Sequence, residues 1–394
     1  DLAREICREA AASCNKGHVA KALASAKTVA SVVTLARADR RLAATVDQWD
    51  VEPWLLAAPS GLIDLRTGER RSHRPEDYTT KLCGAAPDVA CAIPIWRAFL
   101  ETVTGHDAAL ARFLQRMVGY SLSGITDEHA LFFLYGTGAN GKSVLLNTVS
   151  NILGDYAQTA PIETFTASTG ERHPTELAGL RGARLVTAIE TEEGRRWAES
   201  RIKALTGGDK ISARFMRQDF FEFTPAFKLV VAGNHEPGLR SVDEAIRRRF
   251  KLIPFTVTIP LDERDPDLTD KLKAEWPGIL AWAIEGCLDW QQRRLAPPEA
   301  VTAATAAYLE AEDALAAWIE EAVTRDPSGW ETSSDLYAHW KTWAERAGEH
   351  PGSMKRFVQN LETRGFEAER KNNARGFRGC SLPNAKPEAP YWNT

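Results

Sequence analysis

Gly136-Thr137-Gly138-Ala139-Asn140-Gly141-Lys142-Ser143 sets three glycines, a lysine and a hydroxyl in the order G-x-x-x-x-G-K-S. Each residue type answers a need of phosphate binding. Gly136, Gly138 and Gly141 allow the positive-φ turns that aim successive backbone N–H groups at phosphate oxygens. Lys142 supplies a point charge for β- and γ-phosphates, and the Ser143 hydroxyl can ligate Mg²⁺. The candidate nucleotide-binding segment therefore runs from Gly136 to Val144, and the chemistry it implies uses ATP and Mg²⁺.

Further along the chain stand groups that could turn phosphate binding into hydrolysis. Glu190 ends an apolar run and is followed by Glu192 and Glu193. One carboxylate at such a place can hold Mg²⁺, and one can position the attacking water. Glu190 is read as the metal-side acid or as both, with Glu192 and Glu193 competing for the second role. Asn234 follows a third apolar run, where a neutral amide could hold the lytic water without adding repulsion. Arg247-Arg248-Arg249 comes next. Either it is a solvated basic patch, or one arginine reaches a neighbouring subunit's nucleotide as a fixed planar charge. Arg249 is the first candidate for that role and Arg248 the second.

These residues need a scaffold, and the pattern supplies one. Ala130 to Tyr135 reads as a buried strand entering the glycine-rich loop, and Val144 to Leu153 as a helix leaving it, its positive dipole end toward the phosphates. Residues 183–190 and 227–233 read as further buried strands, and residues 130–260 alternate strand and helix as an α/β core does. Residues 1–48 are Ala-rich with helical spacing, whereas 49–82 carry the Gly and Pro punctuation of short strands. The Asp326-Pro327-Ser328-Gly329 cluster reads as a turn or linker. Beyond it the pattern is helix, helix and a short hairpin. The tail is Pro-rich and aperiodic.

The chain has 394 residues, enough for two or three domains, and a net charge of −4. A polyanion site must therefore be local. Six cysteines form no C-x-x-C pair, so reduced thiols are expected rather than zinc or a disulfide framework. Neither a membrane-spanning run nor a signal peptide is visible, which reads as a cytoplasmic protein with no membrane partner. The sequence starts at Asp1 without an initiator methionine, and is read as a piece of something longer or a stand-alone unit.

Taken in order, these segments resemble the superfamily-three AAA+ helicases, in particular the phage and plasmid primase-helicases and their poxvirus-type relatives. The likeness rests on Asp64 to Glu69, Phe113 to Leu122, Gly136 to Ser143, Glu190 to Glu193, Lys203 to Asp209, Val231 to Pro237 and Arg248 to Phe255. It implies a DNA helicase in a bacterial host cytoplasm, forming a hexameric ring on single-stranded and forked DNA. A primase or polymerase domain often sits upstream in that family. The implied fold is α/β: an AAA+ P-loop ATPase core with an N-terminal mostly helical domain and a C-terminal winged-helix-like domain. The expected segments are 1–110, a helical collar; 111–262, the ATPase core; 263–322, a helical extension; 323–384, the winged-helix-like part; and 385–394, a tail.

The family places a DNA-gripping hairpin before the Asn234 strand. Here residues 210–223 read as a hairpin with its tip near Arg217-Gln218. Arg217 is the main candidate contact, with Lys210 and Arg214 behind it. Phe215 and Phe220 could stack on bases, but such alternation is read first as core. Lys355, Arg356, Arg375 and Arg378 would contact duplex from the C-terminal part. Three other readings compete: an ATP-controlled winged-helix DNA-binding regulator without unwinding, a small-molecule phosphotransferase, and a purely structural protein. The last leaves the acids, amide and arginines unexplained.

Overall fold

The computed structural model describes residues 2–167, 175–190, 195–239, 242–349, 351–371 and 374–383. The chain divides into two compact units, Asp1–Val51 with Arg74–Thr80, and Glu52–His73 with Lys81–Thr394. In the first unit, helices span Leu2–Ala12, Gly17–Leu23 and Ala26–Ala38. The third is capped by Ser25, whose side chain accepts from the Thr28 N–H. Arg74–Thr80 joins this unit through Asp50, whose carboxylate takes the Thr80 N–H at 2.8 Å. The Trp49 and Tyr78 rings also meet edge to face, 5.3 Å between centroids.

This unit is shorter than the 1–110 segment delimited from the sequence. Strands β1 (Leu55–Ala58), β2 (Gly61–Asp64) and β3 (Glu69–Arg71) form an antiparallel meander within the second unit. Leu56, Ile63 and Leu65 of that meander share a buried cluster with Trp96, Phe99, Phe132 and Leu134. Their apolar side chains draw this stretch into the core of the second unit.

Seven strands follow: β4 (Leu131–Tyr135), β5 (Ala157–Thr159), β6 (Leu185–Glu190), β7 (Ile211–Ala213), β8 (Phe221–Phe223), β9 (Lys228–Gly233) and β10 (Phe250–Pro254). Five make a parallel sheet in the order β10-β4-β9-β6-β5, and β7 pairs with β8 as a separate hairpin. The sheet strands read as continuous apolar runs because both faces are covered. Alternate residues enter different cores. Phe132, Leu134, Val230, Ala232 and Ile253 lie in one cluster; Leu131, Phe133, Leu229, Val231 and Leu252 lie in the other. Beside the sheet, helices Ala108–Leu122 and Trp276–Arg293 approach so closely that a Cβ on Gly119 would sit 2.1 Å from the Cys287 nitrogen.

Helix Glu299–Ala311 packs along β10, where the Leu252 N–H donates to the Thr305 hydroxyl at 2.9 Å. The last part comprises helix Ala314–Ala322, β11 (Thr324–Thr332), helices Ser333–Arg346 and Met354–Thr363, β12 (Glu367–Lys371) and β13 (Ala374–Ser381). Its antiparallel sheet runs β11-β13-β12, over a core of Trp318, Trp340, Phe357, Leu361 and Phe377. The cluster at 326–329 is not a linker. It lies inside β11 as an irregularity, with the register shifting between Arg325 and Trp330. The Asp326 carboxylate takes the Ser328 N–H at 2.9 Å, a local turn that lets the strand resume its pairing. Among the described residues no single helix is long and apolar enough to cross a membrane.

Candidate functional site

The register of the parallel sheet sets the candidate residues level with one another. Tyr135 lies opposite Gly233, and Gly233 lies opposite Glu190. The glycine-rich loop, Asn234 and the backbone of Glu190 therefore share the carboxyl edge of three adjacent strands, where open parallel sheets bind their ligands.

In the loop, φ is +100° at Gly138 and +82° at Gly141, and +50° at Ala139, an uncommon conformation for a residue with a side chain. At Gly136 a Cβ would lie 2.0 Å from the carbonyl oxygen of Phe255, the residue after β10, so only glycine lets the loop pass there. Asn140 fastens the loop to the sheet by donating from Nδ2 to that same carbonyl at 2.8 Å. Lys142 is 6% exposed. Its Nζ donates to the Gly136 carbonyl at 2.7 Å, Asn140 Oδ1 at 3.0 Å and Asn234 Oδ1 at 3.3 Å. These acceptors are neutral, and burial holds the ammonium below the usual lysine range. A buried cation satisfied only by neutral oxygens is an anion site in electrostatic terms. Helix Lys142–Leu153 starts here without a side-chain cap, leaving its first N–H groups and dipole to a ligand. Gly138 to Val144, with Ile189, Ala232, Gly233 and Asn234, line a cleft of 440 Å³. Ser143 and Asn234 are exposed at its mouth.

The sequence did not single out Ile189 and Ala232 as cleft residues, since they look like any strand residues. Glu192 and Glu193 lie outside the described residues, as do the side chains of Glu190 and Arg356.

The three arginines differ. Helix Glu244–Arg249 is capped by Asp243, which takes the Ile246 N–H at 2.9 Å. Arg249 is 6% exposed; its Nε donates to the Thr206 hydroxyl at 3.1 Å and its Nη1 to the Ala245 carbonyl at 2.9 Å. Burial first, and then Arg248, lower its pKa. Arg247 pairs with Asp313 at 3.0 Å. Arg248 is exposed, and its side chain makes no hydrogen bond or ion pair among the described residues. Arg249 is engaged within its own chain, whereas Arg248 is exposed and unpaired among the described residues.

The β7–β8 hairpin pairs Ile211 with Phe223 and Ala213 with Phe221. Its tip turns at 215–218, where Gln218 N donates to the Phe215 carbonyl at 3.1 Å and Arg217 takes φ +60°. Arg217 is exposed. Phe215 and Phe220, read first as core, are 41% and 57% exposed. No second layer covers the tip among the described residues. Phe215 stacks on Phe221 at 5.8 Å, and the Arg214 guanidinium lies 4.7 Å from the Phe220 centroid. Lys210 is paired only loosely, 4.0 Å from Glu222. In the C-terminal part, Lys355, Arg375 and Arg378 are exposed. Arg378 stands opposite Glu367, and Arg375 opposite Arg370.

A glycine-rich loop between an inner strand, β4, of a parallel sheet and the N-terminus of a helix defines a P-loop-type α/β core. Residues 1–105 match the family model "D5 N terminal like", and residues 134–249 match "Family of unknown function (DUF5906)". The chain is 28% identical over 344 residues to "Putative helicase 022R" of frog virus 3, covering 80% of this chain and 33% of that protein. It is 25% identical over 342 residues to "Putative helicase L207/L206" of Acanthamoeba polyphaga mimivirus, covering 79% and 35%. By these matches the chain is similar to the primase-helicase family, and they support its place there. It spans about a third of the length of these curated relatives. Among solved structures, the apo C-terminal region of NrS-1 aligns with a TM-score of 0.47 at 11% identity, over 75% of this chain and 77% of that one.

Proposed function

We propose that this chain is the ATP-dependent motor part of a DNA helicase that serves replication of a virus, phage, plasmid or mobile element. The observation that carries the reading is Lys142: a buried ammonium with neutral partners, at the edge of an uncapped helix and beside Asn234. That arrangement favours a polyphosphate, whose charge would restore the lysine's own. Gly136 to Val144 would hold the phosphates, with Asn234 placed to orient a water at the γ-phosphate. Ser143 and Glu190 are the candidates to hold Mg²⁺, which when bound would neutralise charge on the phosphate oxygens. Glu190 or Glu192 would position the attacking water. The surface position of Arg248 supports a ring, because an exposed arginine with no side-chain partner among the described residues is available to a neighbour's site. A hexamer on single-stranded or forked DNA, gripped by the Arg217 hairpin and with a winged-helix-like C-terminal part on duplex, completes the reading.

ATP turnover with and without single-stranded DNA, at two salt concentrations, tests it. The expected result is salt-sensitive stimulation that is lost in Lys142→Ala, followed by strand displacement. Affinity for ATP should also fall as pH rises through the depressed Lys142 pKa, because the bound anion needs the charged amine. Lys142-dependent turnover indifferent to DNA would refute the motor and favour the regulator.

A further inference from the structure

Tyr308 lies on helix Glu299–Ala311, far in sequence from every residue considered so far as a site candidate. Its ring packs 6.0 Å from that of Phe250, the first residue of β10. The ring is 5% exposed, and its hydroxyl is fully engaged. The oxygen accepts the Trp197 indole N–H at 3.1 Å and donates its own proton to the Pro237 carbonyl.

Pro237 lies three residues past Asn234, at the close of the turn that leaves β9. Trp197 follows the acidic stretch that leaves β6. Glu190 and Gly233 are the last paired residues of β6 and β9 among the described residues. A backbone zipper takes over: Trp197 N donates to the Gly238 carbonyl at 2.9 Å, and Gly238 N to the Arg195 carbonyl at 2.8 Å. The zipper holds residues 195–197 beside Gly238. Tyr308 holds both against a third element, the helix on β10. Glu312, at the end of that helix, adds a carboxylate acceptor for the Leu239 N–H at 2.6 Å.

We infer that Tyr308 is a positioning residue for nucleotide hydrolysis, its hydroxyl fixing the turn that carries Asn234 against Trp197 and the helix on β10. The inference rests on the motor reading above, since it needs Asn234 to act on a bound phosphate. A tyrosine used only to fill the core would need its ring, not its oxygen. Here the oxygen ties the turn after Asn234 to Trp197, and misplacement at a reacting centre by about 1 Å is enough to slow chemistry.

Tyr308→Phe keeps the ring and removes the bridge. Steady-state ATP turnover, affinity for a non-hydrolysable ATP analogue, and thermal unfolding would be measured on the full chain beside the unaltered protein and Lys142→Ala. The expected result is a kcat lower by about tenfold, with KM and analogue affinity within about twofold, at a temperature where the variant is fully folded. An unaltered kcat, a raised KM at constant kcat, or a loss of rate matching a loss of folded protein would each overturn it. Should Tyr308→Phe not fold, Glu312→Ala against Glu312→Gln replaces it. The amide keeps an acceptor for Leu239, so a kcat loss in alanine that glutamine rescues supports the role, and equal rates refute it. Turnover that needs Lys142 but ignores Tyr308 overturns this inference alone; absence of Lys142-dependent turnover removes the motor reading with it.

Discussion

Arg247, Arg248 and Arg249 are consecutive and chemically identical, yet each ends in a different environment. Successive residues of a helix point roughly 100° apart, so a run of three must spread over most of its circumference. Sequence shows that one will face inward and not which one. The Asp243 cap fixes the answer by setting where the helix begins. Arg249→Ala deletes two hydrogen bonds from a charged donor in a buried setting, and should cost about 2 kcal/mol of stability. Arg248→Ala should change stability by less than about 0.5 kcal/mol, as exposed substitutions usually do. In the ring reading it should nonetheless lower ATP turnover by about a thousandfold while sparing nucleotide affinity. Urea unfolding and turnover measured on both variants separate the roles. Normal hydrolysis by Arg248→Ala would remove Arg248 as the finger.

At the scale of elements, the β7–β8 hairpin shows what periodicity can and cannot report. Its place before β9 and its tip at Arg217-Gln218 were legible from the turn residues and from the resemblance. The exposure of Phe215 and Phe220 was not. Alternating aromatics look alike whether or not a second layer covers them, and here two short strands stand apart from the main sheet. That exposure makes two kinds of contact separable. Arg217→Ala should weaken single-stranded DNA binding and reduce the slope of log affinity against log salt by about 0.7, the value for one phosphate contact. Phe220→Ala should cost about 1–3 kcal/mol of binding at an unchanged slope, because stacking releases no counterion. Salt titrations of DNA affinity for the two variants make the comparison. A slope change in Phe220→Ala and none in Arg217→Ala would exclude this division of labour.

Across the whole molecule, the local motif was easier to read than the long-range packing. The glycine-rich loop announces itself because its tight backbone path tolerates few residue types, as Gly136 against Phe255 shows. The Tyr308 and Asp313 contacts do not announce themselves, since they depend on how distant segments pack. Asp313 is 4% exposed and sits between the core and the C-terminal part. It receives Arg247 at 3.0 Å and Arg364 at 2.7 Å, and it caps helix Ala314–Ala322 by taking the Ala316 N–H at 3.1 Å. One carboxylate thus joins the helix bearing Arg248 to the C-terminal module. Asp313→Asn isolates this tie, because asparagine caps helices as well as aspartate does but carries no charge. Both arginine heads keep partial access to water, so the loss should stay near 1–2 kcal/mol, below the cost of breaking a fully buried pair. The loosening should appear as faster amide exchange in residues 314–383 with little change in the parallel sheet. Uniform exchange in both regions would mean that Asp313 supports the fold as a whole and does not couple its parts.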